Sequence, residues 1–411
     1  MAFLRHLQTL DSLKIYGFRV LFLGMLGQWA AWNLQMITQS LLLYRLTGSA
    51  AILGTMALVN AIPQLVLSLF AGVMADRFNK KYIILITQGV AVFSMVAVAV
   101  SLSTGYLSPQ HSGSWWVLIA AGFIQSVAMA LMMPARQAII LELVGRERLM
   151  NAAAISSVGM SIFQVVIPVV GGVLIDAIDF TAIYYIMSGL SLTAIIFTSF
   201  LPANRATGSI NHQNVFANIG DGLKYAWHNS VILFVIWFSL VSMILTSPQM
   251  SMMAIYADSI LKVGATGMGV LQSISGISGL VISLVMASLP SRKRGLMLMV
   301  TSLVSGLALL VFAFSRSMIL SSAIMVITGF TNTINMLATT TLMQAYSEEE
   351  YLGRVLSIQM IGMGLSGLGS FITGIMTEYV GIEWSIGSFA IVLALVSLLV
   401  LMAMPKMRKV D

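Results

Sequence analysis

The sequence contains no cysteine and few charged residues for its length. Of its 411 residues, only 9% are Asp, Glu, Lys or Arg. The absence of cysteine excludes disulfides, thiolate metal sites and cysteine nucleophiles. A soluble domain usually carries about 25% charged residues, so the composition excludes a soluble enzyme, a nucleic-acid-binding protein and a disordered chain. The net charge of +7 does not indicate nucleic-acid binding either, because the basic residues stand in short clusters between apolar runs.

Long apolar runs take up most of the chain. Hydrophobic residues make up 58% of it, and the mean hydropathy is +0.95. A membrane-spanning helix needs about 20 apolar residues, and the sequence predicts twelve such spans and hence an all-α membrane protein. These spans cover 18–44, 50–75, 82–104, 115–140, 152–176, 181–201, 230–257, 265–289, 295–315, 318–345, 354–378 and 384–404. Before them, apolar residues at helical spacing within 1–17 predict a short helix on the membrane surface.

The basic residues predict the orientation of these spans. If the N-terminus is cytoplasmic, all but three of the 21 lysines and arginines fall on the cytoplasmic side. The exceptions are Arg45, Lys262 and Arg316. Since cytoplasmic loops carry an excess of Lys and Arg, the sequence predicts that both termini lie in the cytoplasm.

The chain divides into two similar halves. The longest polar stretch, 202–229, predicts a cytoplasmic linker between six-span bundles at 1–201 and 230–411. Leu65–Leu69 resembles Leu280–Leu284 at an offset of 215 residues, and Asp176 aligns with Glu378 at an offset of 202. Two six-helix repeats are typical of transporters whose binding site lies at the midplane between the repeats.

The turn after the second span combines an acid with a cationic cluster. It reads Gly72-Val-Met-Ala-Asp76-Arg77-Phe-Asn79-Lys80-Lys81. The acid can accept hydrogen bonds at the start of a neighbouring helix, and the cations can hold the turn at the inner lipid surface. Asn79 tolerates a left-handed turn better than most residues. The simpler interpretation is a positive-inside anchor with no further role.

This segment resembles the loop 2–3 signature of the major facilitator superfamily. Tyr44–Ser49, Pro134–Gln137 and Glu147–Asn151 resemble the enterobactin-exporter and macrolide-efflux branch. The resemblance implies the major facilitator fold, with twelve helices in two pseudo-symmetric bundles, and transport rather than enzymatic activity. It also implies a cytoplasmic gating latch. In that latch, Asp76 would contact the backbone near Gly353 and Arg354, supported by Gly72 and Arg77.

Other segments depart from the antiporters of this family. Residues 117–133 lack the arginine that many of them carry in the fourth span, and Pro168 with Gly171–Gly172 keeps only part of their fifth-span signature. These departures weaken the case for proton antiport. No acid or histidine falls in the middle of a span, so a proton would have to bind at a rim or at the latch. The candidate carriers are Asp258, Asp176, Glu378 and Asp76.

Neutral polar residues form stripes on four spans. The spacing in each stripe keeps its members on one helix face, and spans 1, 4, 7 and 10 line the cavity in the resembled family. Amides in hydrocarbon need polar partners, so these faces either line a substrate cavity or hold helices together. The stripes are Gln28, Trp32, Gln35, Gln39; Gln125, Met129, Met132, Arg136; Ser242, Thr246, Gln249, Met253; and Thr328, Asn332, Asn335, Thr339. The predicted substrate-binding residues are Gln28, Trp32, Gln35, Gln39, Gln125, Met129, Thr246, Gln249, Met253, Asn332 and Asn335.

These features predict a monomeric secondary transporter that exports amphipathic small molecules, such as drugs or siderophores, from a bacterial inner membrane. Membrane lipid is a further expected partner, and proton coupling is left open. We expect no cofactor, metal or nucleic acid. The alternatives are a lipid or lysolipid flippase of the same fold and a membrane sensor that does not transport. A membrane enzyme would need clustered acids, histidines or a nucleophile–base set, and this sequence scatters such residues.

Overall fold

The computed structural model describes residues 8–202, 224–288 and 293–410, and every regular element in these ranges is helical. Within the helices it describes no side-chain surroundings for 68–73, 75–77, 349–350, 352–354, 356–361 or 363. Five long helices form the first part of the chain: α1 (Tyr16–Thr47), α2 (Ala50–Arg77), α3 (Lys80–Ser103), α4 (Trp116–Ala177) and α5 (Phe180–Ser199).

The second part contains five further long helices and two short ones. They are α6 (Ser230–Thr246), α7 (Pro248–Ser251), α8 (Met253–Ile255), α9 (Gly264–Ser288), α10 (Arg294–Phe314), α11 (Met318–Tyr346) and α12 (Glu349–Ala403). A π-helical turn, Tyr256–Ile260, follows α8. A 3-10 turn, Met407–Lys409, follows α12.

Asn and Asp residues begin three of the long helices. The Oδ1 atoms of Asn79, Asp179 and Asn229 accept hydrogen bonds from the first backbone N–H groups of α3, α5 and α6. Such caps satisfy donors that have no partner inside the helix. Asn79 has φ −65° and ψ 116°, so it does not adopt the left-handed conformation that asparagine tolerates. It is an extended residue that caps α3.

Nine helices in the described ranges are long and apolar enough to cross a membrane, so this is a multi-pass membrane protein. The predicted number of twelve spans is not confirmed. Two of the nine helices bend sharply, at Gly145 in α4 and at Gly381 in α12, where φ is 71° and 80°. Since only glycine adopts such backbone angles readily, each glycine lets one helix change direction between two predicted spans.

The predicted seventh span, 230–257, is interrupted rather than continuous. Helix α6 ends at Thr246, and Pro248 begins α7. Proline has no N–H group and cannot donate to the carbonyl four residues earlier. The Ser247 hydroxyl donates to the Ile244 carbonyl instead, at 2.9 Å, and lies 2.8 Å from the Ser366 carbonyl of α12. Hydroxyl side chains of this kind allow a break in a membrane helix, because they satisfy the freed carbonyl groups.

Contacts divide the chain into two compact units. Unit 1 contains Met1–Gln39 and Val66–Asn211, and unit 2 contains Ser40–Leu65 and His212–Asp411. In unit 1, α3 packs against α4 and α5. In unit 2, α9 packs against α11, while α12 packs against α6 and α10. The end of α1 and the start of α2 therefore pack with the C-terminal helices, although the bundle predicted from sequence places them in 1–201.

Only part of the predicted surface helix falls in the described ranges. Residues 1–7 lie outside them, and Gln8–Lys14 forms a 3-10 helix. Ser12 is buried, and its N–H donates to Asn151 Oδ1 at 3.0 Å. A hydrogen bond from Lys14 holds the pKa of the Asp11 carboxyl below its usual value, and Asp11 also pairs with Arg148 at 3.3 Å. Polar contacts therefore attach this segment to the second half of α4.

Candidate transport site and gates

The amides of α1 differ in their surroundings. Gln35 Nε2 donates to Gln39 Oε1 at 3.3 Å, and Gln39 Nε2 donates to the Leu118 carbonyl of α4 at 2.8 Å. Gln28 is 7% exposed, and its Oε1 has no hydrogen-bond partner. Trp32 is half-buried, one turn before Met36, which is 59% exposed. The accessible face of α1 is therefore that of Trp32 and Met36, and Gln39 holds α1 to α4.

The stripe on α4 turns toward the interior of unit 1. Gln125 Nε2 donates to the Ala91 carbonyl at 3.2 Å and to Ser94 Oγ at 3.1 Å, both on α3. Met129 packs against the hydrophobic core of unit 1, and Met132 belongs to that core. Gln125 therefore has the contacts of a residue that holds helices together. Its predicted contact with substrate stays a prediction.

In unit 2, the predicted residues near Pro248 are also engaged with protein. Thr246 Oγ1 donates to the Ser242 carbonyl at 2.9 Å. Gln249 Nε2 lies 3.1 Å from Met325 Sδ and 3.4 Å from Thr328 Oγ1, both on α11. Met253 is fully buried, whereas Met250 is 57% exposed. Gln249 thus connects α7 to α11 in the conformation described here.

The two asparagines of α11 differ in their surroundings. Asn335 Oδ1 accepts a hydrogen bond from Thr301 of α10, so its amide lies at a helix–helix contact. Asn332 is exposed, one turn before Met336, which is 63% exposed. An exposed amide in the middle of an apolar helix needs water or another polar partner. Asn332 is therefore the exposed member of the α11 stripe, and Met336 is exposed beside it.

A group of contacts near the end of α1 connects residues 40–65 to the C-terminal helices; we call these contacts the outer clamp. Arg45 pairs with Asp258 at 3.0 Å, and the hydroxyls of Tyr44 and Ser259 lie 2.6 Å apart. Glu378 Oε1 accepts hydrogen bonds from Ser49 Oγ at 2.6 Å and from the Ala51 N–H at 3.1 Å. Glu378, on α12, thus caps the first turn of α2.

Close helix packing accompanies the outer clamp. A Cβ atom at Gly54 of α2 would overlap the Ser370 carbonyl and the Phe371 backbone of α12. A Cβ atom at Gly374 of α12 would equally overlap the backbone of Ala50 and Gly54. Small residues of this kind let membrane helices approach until their backbones touch. The start of α2 and the middle of α12 therefore lie at backbone contact.

The structure tests little of the predicted latch. The side-chain surroundings of Gly72, Asp76, Arg77, Gly353 and Arg354 lie outside the described residues. Beside this segment, Lys80 Nζ at the start of α3 pairs with Glu142 Oε1 of α4 at 2.6 Å. Lys80 is 8% exposed, so at least one cation of the loop motif pairs with protein instead of lipid.

The predicted proton carriers have different surroundings. Asp258 and Glu378 belong to the outer clamp. Asp176 makes a polar interaction, and the side chain of Asp76 lies outside the described residues. Their roles in coupling stay predictions.

Sequence patterns did not predict the outer clamp or the exposed Met36 and Met336 beside the predicted stripes. The clamp joins residues more than 200 positions apart, so no local pattern reveals it. For the methionines there was a weak signal: Met36 and Met336 each stand one turn after a predicted binding residue, Trp32 and Asn332.

Comparisons with known proteins agree with this architecture. The family model of the Major Facilitator Superfamily matches residues 21–368. The enterobactin exporter EntS of Citrobacter koseri is 25% identical over 403 residues, which cover 94% of this chain and 89% of that protein. EntS of Salmonella typhi is 24% identical over 405 residues, which cover 94% of this chain and 90% of that protein.

Solved structures show the same fold at lower sequence identity. The nucleoside transporter NupG superposes with a TM-score of 0.72 at 17% identity, and the match covers 96% of this chain and 99% of NupG. This likeness concerns the fold alone. The predicted superfamily and the resemblance to enterobactin exporters are thus confirmed, as is the expectation of a transporter rather than an enzyme. The chain belongs to the major facilitator superfamily of membrane transporters.

Proposed function

We propose that this transporter exports amphipathic small molecules, such as drugs or siderophores, from the cytoplasm by alternating access. The observation that carries the proposal is the exposed pair of Asn332 and Met336 in the middle of α11. An amide that needs a polar partner, next to a flexible thioether that adapts to many shapes, suits a ligand with polar and apolar parts. The relatives named as enterobactin exporters support export of an organic molecule.

The outer clamp supports alternating access. By sequence, residues 40–65 belong to the N-terminal repeat, yet Arg45, Ser49 and Ala51 bond to acids of the C-terminal helices. Arg45 and Asp258 are each partly exposed, and such ion pairs contribute only about 0–1 kcal/mol. Contacts this weak can form and break during a transport cycle. We propose that they close the outer side in one state and separate in another.

The test is transport by the full chain in proteoliposomes. Vesicles that contain the protein should accumulate or extrude a fluorescent amphipathic probe faster than empty vesicles, and Asn332→Ala should weaken the apparent affinity roughly tenfold or less. Ser283→Ala, at a half-buried hydroxyl of α9, serves as a control for the loss of a polar group. Movement of lysolipid without movement of the probe would favour the flippase alternative. No movement of either would contradict the proposal.

A further inference from the structure

Arg136 is a buried cation in α4. It is 7% exposed in α4, among the apolar side chains of unit 1. Its Nη2 lies 3.2 Å from Met132 Sδ, and its Nε has no hydrogen-bond partner. Among the carboxylates whose side chains the structure describes, which do not include Asp76, none forms an ion pair with it. A charge taken out of water is costly unless it is paired, so an unpaired arginine inside a membrane protein indicates a function.

The direction of the side chain argues against a surface anchor. An arginine that only anchors a helix extends its guanidinium along the apolar surface to water. Arg136 instead reaches back one turn to Met132, toward the start of α4 and away from Val144, which precedes the bend at Gly145. Its guanidinium therefore lies within the helix bundle of unit 1, away from the bend at Gly145.

A buried glutamine of α1 lies close to the level of this guanidinium. Helices α1 and α4 touch where Gly17 lies against Leu143 and where Gln39 Nε2 donates to the Leu118 carbonyl. Gln28 stands midway between these two contacts on α1, so it lies level with the middle of the contacting part of α4, near Met132. Gln28 Oε1 is buried and has no hydrogen-bond partner.

A glutamine of α3 repeats this arrangement. Helices α3 and α4 are joined by the hydrogen bond from Gln125 to Ser94 and by the ion pair of Lys80 with Glu142. Gln88 lies between the two contacts on α3, as Arg136 does on α4. It is 3% exposed, and its Oε1 also has no hydrogen-bond partner. Three helices therefore bring unpaired polar atoms to one region of unit 1.

We propose that Arg136, with Gln28 and Gln88, binds a carboxylate or similar organic oxyanion of the transported molecule. The guanidinium fork matches the two oxygens of a carboxylate, and the amide oxygens accept hydrogen bonds from hydroxyl groups beside it. This inference rests on the proposed export function and narrows the substrate to amphipathic anions. The site is closed in the conformation described here, so the ligand enters in another state of the transport cycle.

The proposed site predicts how the thermal stability of the protein changes when Arg136 is replaced, and this prediction does not depend on transport. If Arg136 binds an anion only during transport, its charge is buried without an ion pair in the ligand-free protein. Replacing it with an apolar side chain of similar length then removes the cost of burying the charge and breaks no ion pair. Arg136→Met should therefore raise the melting temperature of the ligand-free protein. A lower melting temperature would show that Arg136 stabilises the fold through a structural contact, and would overturn the inference.

Binding is tested with a matched pair of probes, dansylglycine and its methyl ester. The parent protein should bind the carboxylate more tightly than the ester. Arg136→Gln should weaken binding of the carboxylate about tenfold or more and binding of the ester less than about twofold. Arg136→Lys should recover part of the loss because it restores the charge without the fork. Arg316→Gln, which removes an exposed arginine between α10 and α11, should leave both affinities unchanged.

Other results would separate this inference from the proposed function. The oxyanion site would be overturned if the parent protein bound the two probes with equal affinity, or if Arg136→Gln weakened binding of both probes equally. If the parent and Arg136→Gln then both transported the ester, the proposed export function would still hold. Carboxylate binding that depends on Arg136 without transport would support the site and contradict export. If phosphatidylglycerol stabilises the parent and not Arg136→Gln, a lipid headgroup occupies the site, and the assignment to substrate is overturned.

Discussion

At the scale of single residues, Gln249 and Asn332 are two amides of one unit with opposite surroundings. Gln249 is 4% exposed and bonds to Met325 and Thr328 of α11. Asn332 is exposed and lies beside Met336. A buried hydrogen bond stabilises the fold, whereas an exposed amide is available to a ligand. The residues of the predicted stripes therefore differ in what their loss should affect.

Alanine at these two positions should separate the two effects. Gln249→Ala should lower the free energy of unfolding by about 0.5–1.5 kcal/mol, because the hydrogen bonds from Gln249 to Met325 and Thr328 are lost. Asn332→Ala should leave the melting temperature nearly unchanged and weaken substrate binding. Melting temperature and affinity measured on the same purified variants check both. Ser283→Ala, at the half-buried hydroxyl of α9, is the control. A lower melting temperature for Asn332→Ala with unchanged affinity would contradict its role in binding.

At the scale of elements, Glu378 caps a helix that is distant in sequence. The first N–H groups of α2 have no partner within the helix, and Glu378 Oε1 accepts from the N–H of Ala51 and from the Ser49 hydroxyl. A carboxylate in this position also favours the positive end of the helix dipole. The start of α2 therefore depends on α12 for its stability.

Removal of this cap should loosen the first turn of α2 locally. Glu378→Ala should speed amide hydrogen exchange in peptides that contain Ala51 several-fold, because the protected N–H loses its acceptor. Peptides from α3 should exchange as in the parent. Glu383→Ala is the matched control, since this acid on the same helix pairs with Arg316 and not with α2. Unchanged exchange at Ala51 in Glu378→Ala would rule out the cap.

At the scale of the whole molecule, the distribution of basic residues predicts the membrane topology. Loops near residues 79, 210 and 293 should be cytoplasmic, and those near 109 and 262 should be external. The chain has no cysteine, so single introduced cysteines can be labelled with an impermeant maleimide without a background signal. External labelling at position 79 or 293 would refute the proposed orientation.

Energy coupling is also a property of the whole molecule. If a pH gradient drives export, the carrier of the proton must change its solvation between two states, and the acids available for this are Asp258, Asp176, Glu378 and Asp76. Each acid is replaced singly, Asp by Asn and Glu by Gln. In at least one variant, transport of the probe against its concentration gradient should be lost, while transport down that gradient remains. Gradient-driven transport by all four variants would exclude these carriers. Transport by the parent without dependence on the gradient would indicate a facilitator or another coupling ion.

The sequence by itself determined the class of protein, most helix positions and the superfamily. Apolar runs of this length are stable as helices in a bilayer because each helix satisfies its own backbone hydrogen bonds. These hydrogen bonds join residues four positions apart, so the helices can be predicted from short stretches of sequence. The turn from Gly72 to Lys81 was equally recognisable, because its residues are contiguous.

Only the tertiary structure decided which polar side chains have partners. Gln125 and Asn332 belong to stripes with similar helical spacing, yet Gln125 bonds to α3 and Asn332 is exposed. The neighbouring helix, not the spacing, determines whether such a residue has a partner. The grouping of residues 40–65 with the C-terminal helices, the cap of Glu378 on α2 and the unpaired guanidinium of Arg136 likewise depend on residues distant in the chain. Hydrogen bonds and ion pairs act over a few ångströms in space, and the separation of two residues in sequence does not fix that distance.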